Sequence, residues 1–198
     1  MSRLGPLPPG HSPELKEQFD SFLGSLGFVP NSVLTMQRNP KLVRAFVTLQ
    51  GAIWGPDSKV DRGLKRLIAH VASRSAGDAY SMAHTASGAL HFGVSPEKLA
   101  AVADFAESPL FSAAEKAALT VASAAGRAPN AVTDAMFDAL HKEWSEAEIV
   151  EIVAAIAATG FVNRWNATMA TPLEDEPLHI GQTHLAASGW DPGPHAPR

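Results

Sequence analysis

The chain has 198 residues, 45% of them apolar and 7% aromatic, with 20 acidic against 16 basic side chains and a formal net charge of −4. That length supports one domain with a real core, the alanine-rich, aromatic-poor composition favours closely packed helices, and the acidic balance excludes the basic footprint of a nucleic-acid binder. There is no cysteine, which excludes disulfides, thiolate metal sites and any thiol redox cycle carried by this chain.

Residues 1–11 read as an extended lead-in, because Pro6, Pro8, Pro9 and Gly10 deny regular hydrogen bonding. The segment lacks the apolar core of a signal peptide, so a cytoplasmic location is the default expectation. Ser12 offers a cap with Pro13 at the first helical position, and Leu15, Phe19, Phe22, Leu23 and Leu26 recur at helical spacing up to Gly27. A turn at residues 28–31 and a short segment over 32–37 lead to Asn39-Pro40, which starts a helix running to about Trp54. Gly55 to Ser58 ends it and is expected to cap the next, over 60–76, with Leu64, Leu67, Ile68 and Val71 inward and Lys65, Arg66 and Arg74 toward solvent. Gly77 permits a sharp joint, Asp78 is placed to cap a second helix reaching about Phe92, and Ser95-Pro96-Glu97 opens another to Phe105.

Ser112-x-x-Glu115 and Ser145-x-x-Glu148 are capping-box signatures ahead of an alanine-rich helix and of the longest apolar helix, residues 146 to about 169. Between them a helix is expected over 131–141. Within the long helix the apolar run 149–162 is interrupted by Glu151 and falls short of the roughly 18 residues of a membrane span. After Pro172 the composition shifts to Pro, Gly, His and acidic residues, which reads as an extended C-terminal arm over 173–198 beyond a single helical domain, residues 1–172. The fold class is all-α, about eight helices with extended arms at both ends.

The stretch VDRGLKRLIAHVASRSAGDAYSMAHTASGALH, residues 60–91, carries the strongest signal. Its Asp78-Ala-Tyr80-Ser81-Met-Ala-His84-Thr-Ala segment resembles the active-site segment of the alkylhydroperoxidase D (AhpD)/carboxymuconolactone decarboxylase superfamily, in which Cys-x-x-Cys is followed within a few residues by His. Both cysteine positions have changed here, to Asp78 and Ser81, and His84 remains. The helix IVEIVAAIAATGFVNRWNATMAT and the lead-in Leu64 to Ala69 are similar to one branch of that superfamily, so the resemblance covers about residues 35–172. It implies an AhpD-like helical bundle that assembles as a homo-oligomer (dimer, trimer or hexamer), with extended arms that often reach neighbouring subunits. For 181–198 a disordered tail is the equal alternative.

On a helix starting at Asp78, Gly77, Ser81, His84 and Gly88 fall within about 60° of one another, and Tyr80 lies on the adjoining stripe with His84 and His91. His84 is suited to moving protons at neutral pH, with Asp78, Ser81 and Tyr80 to orient it or bind a ligand. Each has a plainer alternative: His84 as a packed structural histidine, Asp78 as a helix cap. Glu151, the one charge in its apolar run, is a candidate general acid or base or else half of a salt bridge to Arg62, Arg66 or Arg164. Asn163, Arg164 and Trp165 are candidates for binding a substrate carboxylate or for a subunit contact, Arg164 being suited to bidentate anion recognition. His84 and His91 stand two turns apart, too far for one ion, and nothing matches a phosphate loop or a dinucleotide fingerprint, so neither metal nor cofactor is expected.

Two functions follow. One is a cofactor-free enzyme of the decarboxylase type, a lyase or isomerase that uses His84 for proton transfer on a small organic acid, lactone or carbonyl compound. The other is a catalytically inactive, cysteine-less oligomeric binding or scaffold protein. Peroxidase activity is excluded by the missing thiols.

Overall fold

The computed structural model describes residues 2–197, which form ten α-helices and no strand. They are α1 (Lys16–Leu26), α2 (Asn31–Met36), α3 (Pro40–Trp54), α4 (Arg62–Ala76), α5 (Ala79–His91), α6 (Pro96–Ala100), α7 (Ala113–Ala125), α8 (Asp134–Glu143), α9 (Glu146–Met169) and α10 (Asp175–Ile180). Their ends follow local chemistry. Asn39 and Asp61 accept hydrogen bonds from backbone N–H groups in the first turns of α3 and α4, and both capping boxes, at Ser112 and Ser145, are complete. Gly77 adopts the left-handed conformation (φ 72°) that turns α4 directly into α5.

α4 is the central element, packed against α5, α7 and α9. Leu64, Leu67, Ile68 and Val71 meet Ala83, Ala86 and Ala89 of α5, Leu119 and Ala122 of α7, and Ile149, Ile152 and Ile156 of α9 in the main core. Alanine and glycine let these helices approach closely: a Cβ on Gly126, just past α7, would lie 2.4 Å from the Ala72 carbonyl oxygen. A second core, with Leu15, Phe19, Val33, Val43 and Phe46, joins α1–α3 to Val162 and Trp165 of α9.

The structure departs from the sequence expectations in several places. Lys65 is only 1% exposed: its ammonium donates to the Ile53 carbonyl and, at 2.9 Å, to Ser58 Oγ, and lies 3.4 Å from Glu151. Arg66 is half-buried, its guanidinium 4.1 Å from the Trp54 ring centroid. Ser58 does not cap α4, because it donates to Glu151 and to the Val60 carbonyl, and Asp61 takes the cap. α8 starts at Asp134 behind a Thr133 cap, and α6 gives way after Ala100 to a 3₁₀ turn over Ala101–Asp104.

Both ends of the described chain are fastened to the body. Arg3 and Leu7 donate backbone hydrogen bonds to Met169 and Leu34, and the Gln37 amide donates to the carbonyls of Leu7 and Pro8. The segment after Pro172, expected to extend away, folds back over α5 through α10, a π-helical turn (Gly181–Leu185) and two short 3₁₀ turns. Leu173, Leu185 and Trp190 bury in the main core, and the Trp190 indole N–H donates to the Ala79 carbonyl at 3.0 Å. A buried indole with its donor satisfied repays ordering this polar stretch.

Candidate active site on helix α5

The first turn of α5 builds two polar clusters that share Tyr80. Asp78 caps the helix, accepting from the Tyr80 N–H at 3.2 Å through Oδ1, while its Oδ2 accepts from the Ser81 hydroxyl at 2.8 Å. Asn163 of α9 faces this pair. With its amide nitrogen turned toward the acceptors around it, it donates to Ser81 Oγ at 2.9 Å and to Asp78 Oδ2 at 3.3 Å. His195, from the folded-back segment, donates Nδ1–H to the Thr171 carbonyl at 2.8 Å and presents Nε2 to Asp78 Oδ1 at 3.5 Å. Because a carbonyl only accepts, Nδ1 is the protonated nitrogen there and Nε2 is the ring nitrogen that faces the carboxyl. Burial pushes the Asp78 carboxyl up, opposed by the Ser81 hydrogen bond and the His195 charge.

One turn on, His84 Nε2 lies 2.7 Å from Glu174 Oε2. Glu174 Oε1 accepts from the Tyr80 hydroxyl at 2.8 Å and from the Asn31 backbone N–H, and the Asn31 amide fixes the neighbouring Pro172 carbonyl at 3.0 Å. The Tyr80 ring stacks on the His84 imidazole, centroids 4.4 Å apart and planes 24° from parallel, and Phe28 meets His84 edge to face with centroids 5.9 Å apart. The side chains of His84 and Glu174 are 19% and 11% exposed. Burial raises the Glu174 carboxyl, but the charge and hydrogen bond of His84, the Asn31 N–H and the Tyr80 hydroxyl outweigh it and hold the group below its ordinary range. Burial and the Glu174 charge push the Tyr80 hydroxyl up, which keeps it a donor.

Of the residues singled out in the sequence, Asp78, Ser81 and Asn163 therefore meet in one cluster and Tyr80 and His84 in the other. A Ser81–His84–Asp78 relay is not formed, since Ser81 donates to Asp78 and His84 pairs with Glu174. Glu151 belongs elsewhere. It accepts from Ser58 Oγ, Lys59 N–H and Val60 N–H beside Lys65, none of the expected arginines being its partner. Although burial raises its carboxyl, those hydrogen bonds and Lys65 bring it down to about 2. Arg164 is exposed, and Trp165 packs against the second core. Glu174, His195 and the Asn31 N–H are site groups that sequence reasoning missed; only the acidic run 174–176 marked the place, and it read as tail. His70 is buried with Nδ1 3.0 Å from the Met82 carbonyl, and burial lowers it to about 4.

Two clefts lie outside this site. One, of about 370 Å³, is lined by Arg74, Ser75, Ser123 and Arg127 among others; the second, about 530 Å³ and apolar, lies between α8 and α9. Neither is lined by His84. No described helix is long and apolar enough to cross a membrane.

The model of the carboxymuconolactone decarboxylase family matches residues 40–124. The uncharacterized protein YnjA of Escherichia coli K12 is 38% identical over 80 residues, which is 40% of this chain and 44% of YnjA, so the match spans under half of that relative. The debrominase Bmp8, solved as a cysteine-to-alanine variant in complex with 2,3,4-tribromopyrrole, superposes with a TM-score of 0.85 at 35% identity, covering 92% of this chain and 97% of Bmp8. An AhpD-core, peroxidase-related protein from Ralstonia eutropha JMP134 shares the fold at a TM-score of 0.77 and 21% identity, over 91% of this chain and 98% of that one. With the Cys-x-x-Cys positions filled by Asp78 and Ser81, the chain belongs to the carboxymuconolactone decarboxylase family as a cysteine-less member with the AhpD-like fold.

Proposed function

We propose that this protein is a cofactor-free acid/base enzyme of the carboxymuconolactone decarboxylase type, acting on a small organic acid, lactone or related carbonyl compound and not as a thiol peroxidase. The observation that carries the reading is the convergence of His84 Nε2 and the Tyr80 hydroxyl on one point between α5 and the folded-back segment. Decarboxylation or lactone isomerisation needs a proton delivered to, or taken from, a carbon next to a carbonyl group. His84 is the group that moves it, and Tyr80, kept protonated, donates a hydrogen bond to the enolate oxygen that develops. The tribromopyrrole bound by the Bmp8 variant supports a small ring as the ligand. Because that variant lacks a cysteine of Bmp8 and this chain has none, the reading takes ligand size from the comparison and no thiol step. Val150, Val153 and Phe161, exposed along α9, support assembly into a homo-oligomer.

The second reading, a binding or scaffold protein without turnover, is favoured by one observation: His84 is packed by Tyr80 and Phe28 and lines neither cleft. The two separate on a panel of lactones, β-keto acids and halopyrroles, with consumption followed by mass spectrometry. The enzyme reading expects at least one compound to be consumed by the wild type and not by His84→Gln, with both proteins folded at the assay temperature by far-UV circular dichroism. Consumption of none, or unchanged turnover by the variant, overturns it.

A further inference from the structure

Glu174 meets the site as a ligand would. Its carboxylate, nearly enclosed, is received by three donors, His84 Nε2 at 2.7 Å, the Tyr80 hydroxyl at 2.8 Å and the Asn31 backbone N–H. These donors belong to the helical body, whereas Glu174 comes from the segment laid over it after Pro172. That segment is tied into a loop of its own, Leu173 N–H donating to the His195 carbonyl at 2.8 Å; beside the apolar seating of Leu173, Leu185 and Trp190, its polar contacts with α5 are Trp190 on the Ala79 carbonyl, Ser87 Oγ on Glu176, and His195 on Asp78. With Glu174 in place nothing else reaches His84 Nε2. With it withdrawn, a histidine, a phenol and an amide N–H are left pointing at one spot, and donors leaving water for such a spot require an acceptor, best an anion.

We propose that the site takes a small monocarboxylate whose carboxylate replaces that of Glu174 on His84, Tyr80 and the Asn31 N–H, and that residues 173–195 form a strap which closes the site when no ligand is bound. This rests on the reading above that His84 faces the ligand, and it narrows the ligand class of that site to anions carrying a free carboxylate. The Glu174 carboxylate is then an internal competitor. Affinity in the wild type is reduced by the fraction of molecules with the strap closed, and releasing the strap raises it by about tenfold or more.

The test uses sodium benzoate, with methyl benzoate as the neutral control, on the full chain and on Glu174→Gln. Binding is followed by ¹H–¹⁵N signals of the His84 ring, and the strap by amide hydrogen exchange over residues 175–190. The expected result is that benzoate moves the His84 signals in both proteins, binds Glu174→Gln at least tenfold tighter, and speeds exchange of the wild-type strap, while methyl benzoate does none of these. Equal affinity in the two proteins, unmoved His84 signals, or equal binding of the ester overturns the proposal. The wild-type exchange measurement stands by itself if Glu174→Gln folds poorly. Carboxylate binding without turnover of any compound would sink the enzyme reading and leave the strap; turnover of lactones unaffected by benzoate would do the reverse.

Discussion

Glu151 and Lys65 give the most quantitative prediction, because their environments are unequal. Glu151 keeps a quarter of its side chain exposed and accepts from Ser58 Oγ, Lys59 N–H and Val60 N–H in addition to Lys65. Lys65 is shut off from water and has the Ile53 carbonyl and Ser58 Oγ as its other acceptors. Removing one partner of a buried pair costs about 3–5 kcal/mol when the remaining charge is stranded. Glu151→Gln strands the ammonium, but two neutral acceptors remain, so the expected loss is about 2–3 kcal/mol. Lys65→Met leaves Glu151 with three donors and water and refills the channel with a flexible side chain, so about 1–2 kcal/mol is expected.

Urea unfolding at pH 7, followed by far-UV circular dichroism, measures both variants. At about 2–4 °C per kcal/mol for a chain of this size, Glu151→Gln lowers Tm by roughly 4–12 °C. The reverse order, with Lys65→Met costing more, would refute the reasoning, as would a Glu151→Gln loss below about 0.5 kcal/mol, the size of an ordinary surface change. Turnover is a second readout. Glu151 and Asn163 are twelve residues apart on α9, about 18 Å at 1.5 Å per residue, so activity per folded molecule stays at the wild-type level. A specific loss of activity would return Glu151 to the acid/base role its sequence context first invited.

The same groups set the acid side of the stability profile. His70 is lowered from 6.5 to about 4, so below pH 6.5 the unfolded chain takes up a proton that the native state refuses, and stability falls as pH drops from about 6.5 to 4. Glu151 is lowered from 4.5 to about 2, so its contribution is complete above pH 4.5 and is lost between 4.5 and 2. In urea midpoints measured against pH, His70→Gln flattens the upper part of the decline and Glu151→Gln the lower. A Cβ on Gly181 would lie 2.4–2.7 Å from three carbons of the Trp190 indole. Gly181→Ala is therefore expected to cost about 1–3 kcal/mol by overpacking and to red-shift the tryptophan emission as the indole leaves its seat. Ser145→Ala, which removes one half of the α9 capping box, should cost about 1 kcal/mol in thermal unfolding.

What could be read in the sequence was what neighbouring residues decide among themselves. Asn39-Pro40, Gly77-Asp78 and the two Ser-x-x-Glu boxes mark helix ends because cap and capped N–H lie within three residues of each other. Lys65 was misplaced for the opposite reason. Its spacing on α4 reads as polar face, and the counter-charge that makes burial tolerable stands 86 positions later. The folded-back segment hid in the same way. Leu173, Leu185 and Trp190 are too irregularly spaced to show a period, and the surface that receives the segment, along α5 and α6, exists only once those helices have packed. Of the candidate site, the α5 residues and Asn163 were legible from a motif on one helix and its neighbour, whereas Glu174 and His195 reach it from residues that form no amphipathic pattern at all.

The replacement of both motif cysteines has a physical consequence beyond the loss of redox chemistry. Asp78 and Ser81 bond to each other at 2.8 Å, and Asn163 and the Tyr80 N–H supply their further hydrogen bonds with the His195 ring 3.5 Å from Asp78, so the two positions form a closed network in the buried first turn of α5. A fully satisfied buried network favours one arrangement and resists the loosening that a reactive group needs. It pins the start of α5, and with it the Tyr80 ring, which is stacked on His84 on one side and lies 5.8 Å from His195 on the other. Positions 78 and 81 thereby act as a mount, and the partner exchange proposed above falls to the His84 imidazole one turn further along, the Tyr80 hydroxyl at the far end of its pinned ring, and the carboxylate they share. Asn163→Leu is a probe of that division. It removes the donor to Ser81 and Asp78 without touching His84, so it should lower stability by about 1–3 kcal/mol through the unpaired buried acceptors while benzoate still moves the His84 signals. If instead the variant keeps its full stability, the network is not what holds α5 in place, and the mount would have to be sought in the packing of α4 against Ala83 and Ala86.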